Sequence, residues 1–478
     1  MDHDKLTSAI SAAWSADVLP SLSALIGIPA VSPAYDAAWQ EHGHLLASVH
    51  HFRDWLATRS LPGMRCEVVE LPGRSPVLLV DTSASAEASA GGTVLLYGHL
   101  DRQPPVSNWS EGLGPWQPVL RDGRLYGRGS VDDGYSGYAA ITALEAVRAA
   151  GGAHTRTVLL LETGEESGSP DLPAYLDHLA ERLHDVSLVI SLDAGGGDYE
   201  RMWLTSSLRG VVQATVTVRV MDSGMHSGLA SGIVPSSFRI MRQLLDRVED
   251  PVSGEVLVPA MRVAIPQERL ADAEALAAFE PGVLPRRYPL VEGMRHVSDD
   301  DVELILNSTW RPTLSVIGAA GFPEPEVAGA VLRAWTSLRL SFRLPPTADA
   351  EAARAALVEI LTTDVPYGAQ VEVHDFVTVR GWHAPIPSAW LDAALEQAGE
   401  RVFGASPRSM GLGGGIPFME MLGKRYPQAQ FVVTGAVGAD SNMHVPDEWL
   451  NIRFAEQITT SVAYLLDAHA RRPRGVSI

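Results

Sequence analysis

Short apolar runs that end in acidic or histidine residues recur along the first half of this chain. Val94-Leu95-Leu96-Tyr97 leads into His99, Val158-Leu159-Leu160-Leu161 into Glu162 and Glu165-Glu166, and Leu188-Val189-Ile190 into Asp193. Continuous apolar runs of this length predict strands buried on both faces. Between the first two, Tyr138, Ile141, Leu144 and Val147 repeat at helical spacing, and Gly151-Gly152 punctuates the end of that helix. Strand, loop, helix, strand is the rhythm of a largely parallel sheet. In open α/β sheets functional groups collect beyond the carboxyl ends of strands, and the polar residues fall there.

The pattern changes at Val211. Val212, Ala214, Val216, Val218 and Val220 alternate with Gln213, Thr215, Thr217 and Arg219, which predicts a strand with one apolar face. A helix follows around Pro235 to Val248, then an irregular stretch rich in Ala, Glu and Pro. Leu338, Leu340, Phe342 and Leu344 alternate again, Pro345-Pro346 stops that strand, and Thr347 is placed to cap the next helix. A last strand candidate runs from Ala369 to Val373. Antiparallel strands with two helices on one face make an α+β module. The fold class expected is therefore α/β: a mostly parallel sheet flanked by helices, formed by residues 1–207 and 383–478, with an α+β lid inserted at 208–382.

Composition narrows the function. Of the 478 residues, 46% are hydrophobic, enough to support sizeable cores. With 37 basic and 57 acidic residues the formal charge is −20, and no basic run offsets the repulsion of a nucleic-acid backbone. A single cysteine, Cys66, excludes an intrachain disulfide framework and a cysteine-rich zinc module. The segment after Met1-Asp2-His3-Asp4-Lys5 mixes polar and apolar residues, and no run approaches the ~20 apolar residues that cross a bilayer. A soluble cytoplasmic protein without nucleic-acid or membrane partners is expected.

Five acidic and histidine-bearing segments carry the candidate chemistry: His99-Leu100-Asp101, Asp132-Asp133, Glu165-Glu166, Asp193 and His444. Each alone is weak, since an isolated acid is most often a solvated charge. In this order, with Gly127-Arg128-Gly129 before Asp132, Gly164-Glu165-Glu166-Ser167-Gly168-Ser169, and Met225-His226-Ser227-Gly228, the chain resembles the M20 metallopeptidases, and most of all their carnosinase-like dipeptidases. The resemblance spans nearly the whole length. It implies a two-zinc catalytic domain, a lid that commonly forms a homodimer, and hydrolysis of an amide bond in dipeptides or short peptides.

Carried over by that resemblance, Asp132 bridges two divalent ions, His99 and Asp193 complete one site, and Glu166 with His444 the other. Nitrogen and oxygen donors without thiolates suit zinc, with manganese or cobalt as alternatives. Asp101 resembles the carboxylate that orients His99. Glu165 resembles the general base, His226 the lid histidine that serves the neighbouring subunit, and Arg343 the lid arginine that holds the substrate carboxylate, with Arg339 its nearest rival. Where carnosinase-like enzymes carry Arg-Glu-Gly-Gly-Ser-Ile-Pro, this chain has Gly411-Leu412-Gly413-Gly414-Gly415-Ile416-Pro417. The serine hydroxyl is gone, although the backbone amides at Gly414 and Gly415 remain able to form an anion-binding nest. N-acyl or N-carbamoyl amino acid hydrolysis is the alternative activity, and an inert metal-binding scaffold the remote one.

Overall fold

The computed structural model describes residues 1–282, 288, 290–438 and 440–473. The chain divides into two compact units, one of Met1–Thr205, Ala384–Ser409 and Met421–Ile478, the other of Ser206–His383 and Met410–Glu420.

The first unit is built on a six-stranded sheet in the order Arg65–Val69, Val77–Thr82, Arg156–Glu162, Thr93–His99, Val186–Ser191, Gln430–Val433. The last four run parallel, and Val77–Thr82 is antiparallel to its neighbours on both sides. The runs predicted from sequence pair side by side, with Leu96 opposite Leu159 on one side and Ile190 on the other. All seven residues of Thr93–His99 are buried, as strands between two layers require. The Ser136–Ala149 helix packs on Thr93–His99 and Arg156–Glu162, and the Ile452–Arg471 helix packs on it in turn.

His3–Ile26 departs from the sequence expectation. It forms a continuous helical stretch that reaches a mean hydropathy of 1.4, enough by length and composition to cross a membrane. Its side chains have another use: Leu6, Ile10, Trp14, Val18, Leu22, Leu25 and Ile26 are buried in the core of this unit, and Trp14 Nε1 donates to Thr459 Oγ1 at 3.2 Å. Serines and Asp17 interleave with that stripe, which hid it from a search for uninterrupted apolar runs.

The second unit holds a four-stranded antiparallel sheet, in the order Thr313–Ala320, Trp335–Leu344, Gly210–Arg219, Gln370–Val379. The period-2 alternation turns Val212, Ala214, Val216 and Val218, with Leu338, Leu340, Phe342 and Leu344, onto one buried face. The Ser237–Leu245 and Ala350–Thr362 helices cover it through Ile240, Met241, Leu244, Leu357 and Leu361. Each such side chain contributes roughly 1.5–3 kcal/mol on burial.

Three local expectations are corrected. Asp349, not Thr347, caps the helix, its carboxylate accepting from the backbone of Glu351 and Ala352. The supposedly irregular stretch contains the Gln267–Phe279 and Asp301–Thr309 helices, the first packing Ala273 and Ala277 against Ile305 and Leu306 of the second and the following Trp310. Finally, Met410–Glu420, read from sequence as part of the first module, clusters with the second.

Candidate metal centre

Parallel strands bring distant residues to one end of the sheet. His99 is the last residue of Thr93–His99, Glu165 and Glu166 form the turn after Arg156–Glu162, and Asp193 lies two residues past Val186–Ser191. Asp132 arrives in the loop before the Ser136–Ala149 helix, and His444 on the segment after Gln430–Val433. Close packing selects glycine just before the first histidine: a Cβ on Gly98 would meet Ser136 Oγ at 2.1 Å and Asp133 Oδ2 at 2.7 Å.

The two carboxylate oxygens of Asp132 face different groups. Oδ1 lies 3.2 Å from His99 Nε2, which is also 3.9 Å from Asp193 Oδ1 and 4.0 Å from Glu165 Oε2. Oδ2 lies 2.7 Å from His444 Nε2, itself 3.4 Å from Glu166 Oε2. That short approach is not aligned as a hydrogen bond, so among the described residues Asp132 Oδ2 is a buried acceptor without a donor, as is Glu166 Oε1. Donor atoms of His99, Asp132 and Glu166 lie within 4.8 Å of one another, and so do those of His99, Glu165 and Asp193.

Charge makes the same point. Among the described residues, no lysine or arginine pairs with Asp132, Glu165, Glu166 or Asp193; only imidazoles do. Burial, reinforced by neighbouring carboxylates, pushes Glu165, Glu166 and Asp193 well above the usual carboxylate range. Burial also works against ionised Asp132, but His444 and His99 outweigh it and hold that carboxyl below the usual range. A nest of buried acids converging without a cationic side chain is costly unless cations enter it. The donor set, oxygen and imidazole nitrogen only, fits divalent metal ions.

His444 is in the left-handed region at φ +68°, a conformation worth about 1–3 kcal/mol of strain in a residue with a side chain. Its surroundings impose it. Asp447 accepts from Ser110 N at 2.9 Å, and Glu448 accepts from Arg128 Nη1 at 2.5 Å and from Gly129 N at 2.9 Å. Arg128 and Glu448 are fully buried, so this ion pair joins the loop carrying Asp132 to the segment carrying His444. Glu448 is a supporting residue that sequence reading missed; its only signal was its place four residues after His444.

Asp101 does more than orient an imidazole. His99 Nδ1 lies 3.1 Å from its main-chain oxygen and 3.5 Å from Oδ1, while the carboxylate accepts from Glu165 N at 3.2 Å and Glu166 N at 3.0 Å. It therefore sets the turn that separates the two glutamates. Gln103 Nε2 donates to Glu166 Oε2 at 2.6 Å, and Asp133 Oδ2 accepts from His99 N at 3.2 Å; Gln103 was not singled out from sequence, and Asp133 only as a member of the Asp132-Asp133 segment, without a role of its own.

The remaining candidates belong to the second unit. His226 is exposed on the short Met225–His226 strand, its Nδ1 accepting from Gly228 N at 3.2 Å. Arg339 is occupied, donating to Thr215 Oγ1, Gln213 Oε1 and the Asp375 carbonyl. Arg343, half-buried opposite Val211 and Thr313, has no ion pair or side-chain hydrogen bond among the described residues, which separates it from its rival. Gly414 has open space beyond its Cα, whereas a Cβ on Gly415 would lie 2.8 Å from the Arg209 carbonyl oxygen.

Comparison with known proteins finds a matching family and similar folds. The family model described as Peptidase family M20/M25/M40 matches residues 95–470. A cysteinylglycine-S-conjugate dipeptidase of Corynebacterium striatum is 25% identical over 379 residues, 78% of this chain and 80% of that one. The human Beta-Ala-His dipeptidase is 27% identical over 387 residues, 79% and 74% respectively. The crystal structure of human carnosine dipeptidase 1 shares the fold, with a TM-score of 0.74 at 23% identity, covering 98% of this chain and 99% of that one.

Proposed function

The chain belongs to peptidase family M20/M25/M40, and on that premise we propose that it is a metal-dependent dipeptidase whose centre holds two divalent ions, most suitably zinc, between His99 and Asp193 on one side and Glu166 and His444 on the other. The observation that carries this is Asp132, whose two oxygens address the two groups separately. Ions bound there polarise a carbonyl and lower the pKa of water.

The chain's own residues supply the rest. Glu165 takes the proton of the attacking water and delivers it to the leaving amine nitrogen, a role open to it because its neighbour Glu166 is committed as a ligand. Asp101 keeps those roles apart by holding both backbone amides of the turn. Arg343 receives the terminal carboxylate of the substrate, which suits a guanidinium fork with no other partner among the described residues. The lone thiol of Cys66 is compatible with the reducing cytoplasm.

The proposal is tested by turnover of the metal-loaded protein on a dipeptide library and on matched N-acetyl and N-carbamoyl amino acids. Release of free amino acids from dipeptides is expected. Turnover confined to the acylated panel would replace the peptidase reading with the amidohydrolase one.

We also propose a homodimer through the second unit. Met225, Leu229, Ile233, Val327 and Val331 are exposed around the Met225–His226 strand, a concentration of apolar surface that suits a subunit contact. His226 then serves the partner subunit's centre by stabilising developing negative charge on the substrate oxygen. Mixing Glu165→Ala with His226→Ala protein, each nearly inactive, should restore activity once subunits exchange, because one centre of the mixed dimer keeps both residues. Proven exchange without recovery would remove His226 from catalysis across subunits.

A further inference from the structure

Two arginines of the second unit share a neighbour and have no acidic partner among the described residues. Arg209 is nine-tenths buried just before the Gly210–Arg219 strand. Its Nε donates to the Gly413 carbonyl at 3.1 Å, and Nη1 to the Asn307 carbonyl at 3.3 Å and Thr313 Oγ1 at 3.2 Å. Nη2 has no acceptor among the described residues, and no carboxylate pairs with the guanidinium. Thr313 is also the cross-strand partner of Arg343, whose own guanidinium has no partner among the described residues, so the two cations flank one residue. Burial, then the charge of Arg343, pushes Arg209 down to about 10, opposed by the phenol of Tyr288. An uncompensated buried cation is costly, and a second one beside it raises that cost.

The glycine run is folded onto the same arginine. Arg209 N donates to the carbonyls of Leu412 and Gly414, at 3.4 and 3.1 Å, so with Nε on Gly413 three consecutive carbonyls turn toward one residue. Cβ atoms would crowd this arrangement: on Gly413, 3.0 Å from the Ser308 carbonyl oxygen and 3.3 Å from Arg209 Nη2; on Gly415, 2.8 Å from the Arg209 carbonyl oxygen. The loss of the serine at 415 is thus accompanied by a loop drawn down on Arg209, where a side chain has no room.

We propose that Arg209 is a specificity-determining positioning residue: it shapes the Gly413–Gly415 loop, holds Thr313 beside Arg343, and adds a second positive charge to a seat for the anionic end of the substrate. This deepens the dipeptidase reading and rests on it for the identity of the anion as a peptide carboxylate. Negative charge on the ligand relieves both guanidinium groups together, so affinity depends on the pair.

The test is steady-state kinetics of Arg209→Met, Arg209→Lys and Gly415→Ser on free dipeptides and on their C-terminal amides, with the thermal midpoint of each protein measured with and without succinate. Arg209→Met should raise the KM for free acids about tenfold or more, the ordinary worth of a charge-assisted hydrogen bond, with little change for amides or in kcat. Arg209→Lys keeps the charge without the fork and should fall between. Gly415→Ser should weaken the acids rather than improve them. Succinate should raise the wild-type midpoint, and the rise should shrink in Arg209→Met and in Arg343→Ala; if Arg209→Met does not fold, Arg209→Lys and Arg343→Ala decide. Equal losses for acids and amides, or equal succinate protection in variant and wild type, would overturn the proposal. Arg209-dependent protection by succinate in a protein that hydrolyses no peptide would uphold the seat and remove the dipeptidase reading.

Discussion

Replacing Glu165 by glutamine should cut turnover by roughly 10²- to 10⁴-fold, the usual share of a general base, while leaving bound metal unchanged. The amide has the shape of the acid but takes up no proton. The fold gives a reason to expect the variant to stay intact: the turn is held through the backbone amides of Glu165 and Glu166 by Asp101, not through the Glu165 side chain. Glu166→Gln is the contrast. Its Oε2 faces His444 Nε2 at 3.4 Å and accepts from Gln103, so the amide should weaken one ion while the other persists. Metal content and rate measured on the same samples separate the roles. Equal metal loss in both variants would refute the division of labour.

The second large effect is expected at Asp132. If its two oxygens serve two ions, Asp132→Asn should loosen both, each by more than the roughly 10–100-fold that loss of an outer hydrogen-bond partner costs. His444→Ala should strip only one. Elemental analysis after dialysis gives the stoichiometry, and chelator titration gives the affinities. Two ions retained in Asp132→Asn would mean that the carboxylate does not bridge. Full turnover in metal-free wild-type protein would overturn the metal-dependent reading itself.

Much of this arrangement was legible in the chain, and for physical reasons. A strand buried on both faces has to be continuously apolar, so Val94–Tyr97, Val158–Leu161 and Leu188–Ile190 announce themselves, and the polar residues after them lie at one sheet edge. Alternation exposed the two central strands of the second unit equally well. What escaped was long-range. Arg128 was noted only within the Gly127-Arg128-Gly129 motif and Glu448 not at all, since nothing local says that 320 positions apart they meet in a buried pair. Arg209 was not singled out, because its grip on the glycine run depends on Met410–Glu420 joining the second unit. The helix cap slipped from Thr347 to Asp349 because both types cap well and only backbone geometry chooses between them.

The interrupted first unit also sets a schedule for the growing polypeptide. Its sheet ends on Gln430–Val433, which pairs with Val186–Ser191 only after the entire second unit has been synthesised. At about 5–20 residues per second, translation of the intervening segment leaves that fully buried apolar strand with a bare hydrogen-bonding edge for roughly 10–50 s. His444 and Glu448 emerge later still, so the nascent protein carries a half-built nest of acids without its last imidazole or its Arg128 partner. Completion of the Glu166 and His444 side of the centre is therefore expected to be a closing event of biosynthesis, whereas His99, Asp132 and Asp193 are all in place before the second unit is made.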